Sequence, residues 1–424
     1  MSRLDELIEK LCPDGVEMHE LQELFITRNG YTPSKSKSEF WENGTVPWFK
    51  MEDIRANGNI LSDALQHVNE CAVKGKLFPK NSIIVATSAT VGEHALITVP
   101  SLANQRFTYL MVKPEYEDRF MPKFLFYYCY KLDKYCLQNL NQSSFASVDM
   151  KKFAKFKFPV PPLEVQREIV HILDSFTLLT AELTAELTAR KKQYEFYRDK
   201  LLSHNRIYPM KPLAELGKWS GGKTPSMSEK SFWEQGTIPW ISSKDMKSST
   251  LEDTQDHITE KAVKEASMTV YPANSIAIVT RSGILKHTFP VAYVPFETTI
   301  NQDIKMLVVN EDILPRYAFH VIQGKGKDIL VKTKKQGGTV DSLDFQKVLA
   351  YKVPVPSKDI QSKLVEVLDN FEAICTDLNI GLPAEIEARQ KQYEYYRDLL
   401  LTFAETGSTL MTDRQTDRQT DRQS

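Results

Sequence analysis

One stretch of the chain carries a seam at alternating steps of four and three residues: Ile169, Leu173, Phe176, Thr180, Leu183, Leu187, Arg190, Tyr194, Tyr197 and Leu201. That spacing predicts a heptad-type helix of about 40 residues, roughly 60 Å long. A second seam runs through Leu364, Leu368, Phe371, Cys375 and Leu378, then gains four residues before the pattern resumes. Such an insertion is a stutter, and Gly381-Leu382-Pro383 sits in it, so the second helix is expected to break or kink there. Two related apolar seams in one chain pack most simply on each other, antiparallel.

Outside the helices the pattern is strand-like and also duplicated. The buried-strand run Ser82-Ile83-Ile84-Val85-Ala86-Thr87 has a counterpart in Ser275-Ile276-Ala277-Ile278-Val279-Thr280. Thr32-Pro33-Ser34 and Phe40-Trp41-Glu42-Asn43-Gly44-Thr45-Val46-Pro47-Trp48 return 192 residues later as Thr224-Pro225-Ser226 and Phe232-Trp233-Glu234-Gln235-Gly236-Thr237-Ile238-Pro239-Trp240. Each module closes on a proline clamp, Phe158-Pro159-Val160-Pro161 or Val353-Pro354-Val355-Pro356, which ends a strand and hands the chain to a helix. Each helix carries a closely similar charged segment, Arg190 to Asp199 and Arg389 to Asp398.

The expected organisation has six parts: an N-terminal helical stub (1–20), a first globular domain (21–160), a central helix (161–205), a second globular domain (206–356), a C-terminal helix (357–404) and a disordered tail (405–424). The stub is expected to dock on the helices and complete a pseudo-twofold. The tail repeats Thr-Asp-Arg-Gln without apolar residues. The fold class is α+β, with two pseudo-twofold-related α/β domains separated by two long antiparallel coiled-coil helices.

Bulk properties narrow the function. No apolar run is long enough to cross a membrane, and Asp5, Glu6, Glu9 and Lys10 interrupt any leader-like stretch near the N-terminus. Five cysteines without a CxxC pair favour a reducing cytoplasm and argue against structural zinc. A net charge of −1 argues against tight nucleic-acid binding driven by total charge, so a DNA grip would rest on local patches or on partners.

Catalytic motifs are scarce. Gly217-Lys218-Trp219-Ser220-Gly221-Gly222-Lys223-Thr224 satisfies the P-loop pattern, but Pro225 follows where a helix should open and the first module has no equivalent lysine. A glycine-rich loop is the better reading. No Ser-His-Asp spacing, metal-ligand cluster, dinucleotide loop or amino-methyltransferase motif is present, so the chain reads as non-catalytic with no metal.

The candidate residues face DNA instead. Thr32, Ser34 and Lys35, with Lys223, Thr224 and Ser226, offer hydroxyls and charges suited to phosphates. Trp48 and Trp240 read as core, while Lys50 and Lys244 are free to reach out. Asn104, Gln105 and Arg106, with Asn301 and Gln302, are either base-reading groups or a polar turn between strands. The basic runs with Lys151 and Lys152, and with Lys334 and Lys335, are either phosphate contacts or solvated faces. Thr180-Ala181-Glu182-Leu183 and Thr184-Ala185-Glu186-Leu187 form a small helical repeat, with Thr180, Leu183, Thr184 and Leu187 as a candidate spacer ruler. Each unit adds about 6 Å and about 40° beyond one turn, against roughly 35° and about 3.4 Å for one base pair.

The two TPS…FWE-x-G-T-x-PW modules, the PVP clamps, the paired RxKQYE[FY]YRD helices and the tandem TAEL units together resemble specificity subunits of type I restriction–modification systems. The TAEL repeat looks like the type IC branch. The resemblance spans Leu4 to Phe403 and implies a cytoplasmic, non-catalytic DNA-recognition subunit. Each recognition domain would read one half of a bipartite asymmetric site in double-stranded DNA. The helices would set the spacer and bind two modification subunits, with restriction subunits joining for cleavage. S-adenosylmethionine, ATP and Mg2+ would sit on those partners. The other readings are a structural coiled-coil scaffold without DNA specificity and an enzyme, namely a P-loop ATPase or a methyltransferase with its own cofactor.

Overall fold

The computed structural model describes residues 3–141, 146–202, 208–335, 340–376 and 381–406. The chain divides into two compact units, 1–182 with 387–424 and 183–386. The tail beyond residue 406, Leu378 of the second seam and Gln336 to Gly338 of the second basic run lie outside the described residues.

Unit 1 holds a five-stranded sheet in the order Phe25–Asn29, Phe107–Val112, Ser82–Ala86, His94–Ile97, Ile60–Leu61. Its first four strands are antiparallel neighbours, and the last pairs parallel with His94–Ile97. Ser82–Ala86 is central because all five of its residues are apolar or hydrogen-bonded and all five are buried. A smaller sheet sets Val46–Phe49 between His67–Val68 (antiparallel) and Leu102–Ala103 (parallel).

Unit 2 repeats this plan. Gly217–Gly221, Ile304–Val309, Ser275–Val279 and Val291–Val294 form an antiparallel sheet, and Ile238–Ile241 lies between Asp256–Ile258 and Thr299–Ile300 in a small one. The proline clamps become two-stranded clasps that close each globular part: Met18–Glu20 pairs with Lys157–Pro159, and Met210–Pro212 with Lys352–Pro354.

The predicted seam forms one unbroken helix of 39 residues, Leu163–Leu201, which fits a coiled-coil linker. Within unit 1 it buries Val165, Ile169 and Leu173 together with Leu400, Leu401 and Phe403, and Phe176 stacks on Tyr396 at 5.5 Å. Rising numbers meet falling ones, so the helical segments there are antiparallel. Leu4 and Ile8 of the Arg3–Leu11 helix join the same cluster, and Arg3 reaches Glu168 at 3.4 Å. Within unit 2 the helix brings Leu187, Tyr194 and Leu201 onto Leu364, Leu368 and Cys375, and Tyr197 stacks on Phe371 at 6.0 Å, again antiparallel. The second seam is two helices, Lys358–Thr376 and Leu382–Thr406, with Pro383 in the first turn of the latter, where a proline lacks no partner. Among the described residues no helix is long and apolar enough to cross a membrane.

Candidate nucleic-acid interface

Beyond the first sheet strand of each unit the chain turns under the small sheet, and glycine sets how close it comes. A Cβ on Gly30 would lie 2.3 Å from the carbonyl oxygens of Ala103 and Asn104; one on Gly222 would lie 1.9 Å from that of Ile300. The next residue then bonds the same strand, Tyr31 N–H to Ala103 at 2.8 Å and Lys223 N–H to Ile300 at 3.0 Å.

From there the two loops match bond for bond. Thr32 donates its hydroxyl to the side-chain oxygen of Gln105, and Thr224 to that of Gln302. The hydroxyls of Ser34 and Ser36 lie 2.8 Å apart, as do those of Ser226 and Ser228. Trp41 donates its indole N–H to Ser34 O at 3.0 Å, and Trp233 to Ser226 O at 3.0 Å. Trp48 donates to Tyr31 O at 2.9 Å, and Trp240 to Lys223 O at 3.1 Å. The two indoles of each unit meet edge to face at 5.0 and 5.1 Å. Trp48 and Trp240 are buried, as expected, yet each also holds the loop through its N–H.

Two carboxylates that sequence reasoning missed brace the other side. Asp53 accepts the backbone N–H groups of Lys50 (2.6 Å) and Leu65 (2.6 Å). Asp245 accepts those of Ser242 (2.8 Å) and Gln255 (2.8 Å). They stand 192 residues apart, so the repeat spacing carried the signal. Nearby, the Ala64 N–H and the His67 ring hold the Asp63 carboxyl below its ordinary value. The Thr254 N–H, against a small opposing cost of burial, and His257 do the same for Asp253.

The candidate residues divide. Thr32, Thr224, Gln105 and Gln302 come together in the braced loops, where Ser34, Ser226, Lys35 and Lys223 are exposed. Arg106 is exposed at the end of its turn. Asn104 and Asn301 act as turn residues: their side-chain oxygens accept from Arg106 N–H and Asp303 N–H, both at 3.0 Å, and Asn301 is buried.

Lys50 and Lys244 are not free. Lys50 donates to Gln66 at 3.1 Å, and Lys244 lies 3.7 Å from Asp256, because each has a polar neighbour across the small sheet. Nor are they counterparts, since the residue 192 beyond Lys50 is Ser242.

The two basic runs are not counterparts either. Lys151 and Lys152 open a short helix capped by Asp149, whose equivalent is the helix capped by Asp344. Lys334 lies before that point and pairs with Asp341 at 3.0 Å, while Lys335 is exposed. Thr180, Leu183, Thr184 and Leu187 all lie in the long helix; Thr180 returns its hydroxyl to Phe176 O at 2.9 Å.

The P-loop pattern is not a P-loop. Gly217–Gly221 is a strand paired along its length with Ile304–Val309, and no helix opens after Thr224. One cluster in unit 2 has the donor set of a metal site: His320, Asp369 and Glu372 offer atoms within 4.8 Å of one another. Arg316 already supplies the cation there, donating to Asp369 at 2.5 Å and Glu372 at 2.7 Å, so the residues fit an ion-pair clamp better than a metal.

Similarity to known proteins agrees with this geometry. By fold, a chain from a structure described as the structural basis underlying complex assembly and conformational transition of the type I R-M system superposes with a TM-score of 0.62 at 14% identity, covering 93% of this chain and 98% of that one. The family model for the type I restriction modification DNA specificity domain matches twice, over residues 13–190 and 208–388. The chain therefore belongs to the type I restriction–modification specificity family. It is 49% identical over 278 residues to the EcoR124I/EcoR124II specificity subunit of Escherichia coli, which covers 62% of this chain and 69% of that one. It is 60% identical over 240 residues to the EcoprrI specificity subunit of Escherichia coli, 53% of this chain and 59% of that one.

Proposed function

We propose that this chain is the non-catalytic DNA-recognition subunit of a type I restriction–modification complex. The recognition domains, at 21–160 and 206–356, each read one half of a bipartite, asymmetric site in double-stranded DNA. The braced loops at Thr32–Lys35 and Lys223–Ser226 approach the backbone with hydroxyls and lysines, and neighbouring side chains read base edges. The long helices set the spacer and dock two modification subunits; restriction subunits join for cleavage. S-adenosylmethionine, ATP and Mg2+ belong to those partners.

The observation that carries this reading is the duplicated loop frame. A polar loop held by the same four side-chain hydrogen bonds in two separate units, with exposed lysine and serine on it, serves recognition twice rather than packing once. The near-neutral net charge suits a protein that shares its phosphate contacts with partners.

The test is methylome sequencing of cells expressing this chain with its cognate modification subunit. The expected result is one bipartite motif with methyladenine in each half. An assembled complex that methylates nothing would leave the structural-scaffold reading in its place.

A further inference from the structure

Around the paired indoles the two units keep one frame and change its chemistry. In unit 1 a concave surface of about 470 Å3 is lined by Lys35, Glu42, Lys50 and Gln66 around Trp41 and Trp48. The repeat replaces Lys35 by Met227 and Lys50 by Ser242, and keeps the acid as Glu234. It replaces Gln66 by Asp256: His67 pairs with Pro47 as His257 pairs with Pro239, and the residue before each faces the buried tryptophan.

At these three lining positions the exchanges remove donors, and the ammonium that unit 2 does hold there, Lys244, lies 3.7 Å from the Asp256 carboxylate and is paired with it. Lys35 is exposed and makes no hydrogen bond or ion pair among the described residues. Lys50 spends one proton on Gln66 at 3.1 Å, which leaves the rest of its ammonium and the Gln66 amide N–H2 to donate. In unit 2 Met227 is 71% exposed and has no donor. Ser242 is buried, with its hydroxyl given to Asp245 at 3.0 Å, and Asp256 can only accept. The next turn follows suit, with Arg106 in unit 1 where unit 2 has Asp303.

We propose that Lys35, Lys50 and Gln66 determine specificity by selecting guanine in the half-site read by unit 1, and that Met227, Ser242 and Asp256 withhold that choice from unit 2. Guanine presents two acceptors, O6 and N7, and no donor on its major-groove edge, which a surface of donors matches. Phosphate oxygens offer acceptors too, but carry no sequence. The inference rests on the reading that these loops bind DNA.

The experiment compares methylomes of the full chain with its modification subunit in three forms. They are the wild type, Lys35→Met/Lys50→Ser/Gln66→Asp, and the reciprocal Met227→Lys/Ser242→Lys/Asp256→Gln. The first variant is expected to lose its guanine preference at one position of one half-site by about tenfold to a hundredfold, with the other half-site unchanged. The reciprocal variant is expected to gain guanine in the other half-site. An unaltered motif with uniformly weaker methylation overturns the proposal and makes the lysines phosphate anchors. If the triple variant fails to fold, the single exposed change Lys35→Met decides: an unchanged half-site overturns the proposal. A wild-type complex with no bipartite motif sinks the recognition role itself, a failure distinct from either.

Discussion

Gln166 accepts the backbone N–H of Met121 on its side-chain oxygen at 2.9 Å and gives its amide protons to Arg119 O (2.8 Å) and Pro161 O (2.7 Å). Gln361 repeats this with Leu314 N–H (2.8 Å), Asp312 O (3.0 Å) and Pro356 O (2.9 Å). Both side chains are fully buried. Each ties the turn entering a module helix, Pro122–Gln138 or Pro315–Gly324, to the first turn of the helix that leaves the module. The prolines around these turns lack N–H donors, so an amide side chain supplies what the backbone does not.

Replacing either glutamine by leucine keeps the volume and strips three backbone groups of their partners, one of them buried. Gln166→Leu and Gln361→Leu are each expected to cost about 2–4 kcal/mol. Urea unfolding of each variant measures this, and a loss well under about 1 kcal/mol would remove the clamp from the account.

Acid should loosen the module–helix contacts first. Burial pushes the Asp369 carboxyl up, but hydrogen bonds from His320 and Arg316 outweigh it and hold it below its ordinary value. Asp398 in unit 1 is held down in the same way, by Lys134 and Arg397 against burial. A carboxyl depressed in the folded state contributes stability above its unfolded value, about 3.9, and loses it as pH falls through the folded one. The denaturation midpoint is therefore expected to drop below about pH 4. Asp369→Asn should be less stable at neutral pH and show a flatter acid limb; an unchanged acid limb would exclude the clamp as its source.

Much of this fold was legible because the chain states each element twice. The seam at Ile169, Leu173 and Tyr194 marked buried positions, and the matching runs Ser82–Ala86 and Ser275–Val279 marked central strands. The site was less legible because its partners are distant in sequence. Asn104 has the side chain of an adenine reader, but its own turn consumes the oxygen. Lys50 looks free until the small sheet brings Gln66 beside it. Basic runs matched by composition alone were paired wrongly, whereas the helix caps Asp149 and Asp344 give the true alignment. Asp53 and Asp245 were readable from the repeat, yet their role needed the backbone amides they accept.

The glycine-rich stretch around Lys223 should not bind nucleotide. Its glycines form an edge strand and a close loop crossing rather than a cradle of free N–H groups. Lys223→Ala is expected to leave ATP hydrolysis by the assembled complex unchanged, and calorimetric titration of the wild-type chain with ATP should show no binding. Loss of hydrolysis in the variant would restore the P-loop reading.

The tandem repeat in the long helix gives the last prediction. Thr180–Leu183 and Thr184–Leu187 lie in an unbroken helix, and Thr188 returns its hydroxyl to Thr184 O at 3.0 Å, so nothing there interrupts the rise. Deleting Thr184–Leu187 removes about 6 Å and turns everything beyond it by about 40° past one full turn. One base pair turns the duplex by roughly 35° and advances it by about 3.4 Å. Rotation matches one base pair closely and length does not, so groove phase should dominate the choice of spacer. The deletion is expected to shorten the methylated motif's spacer by about one base pair and leave both half-sites intact. Methylome sequencing reads both at once, and either an unchanged spacer or altered half-sites would defeat the ruler.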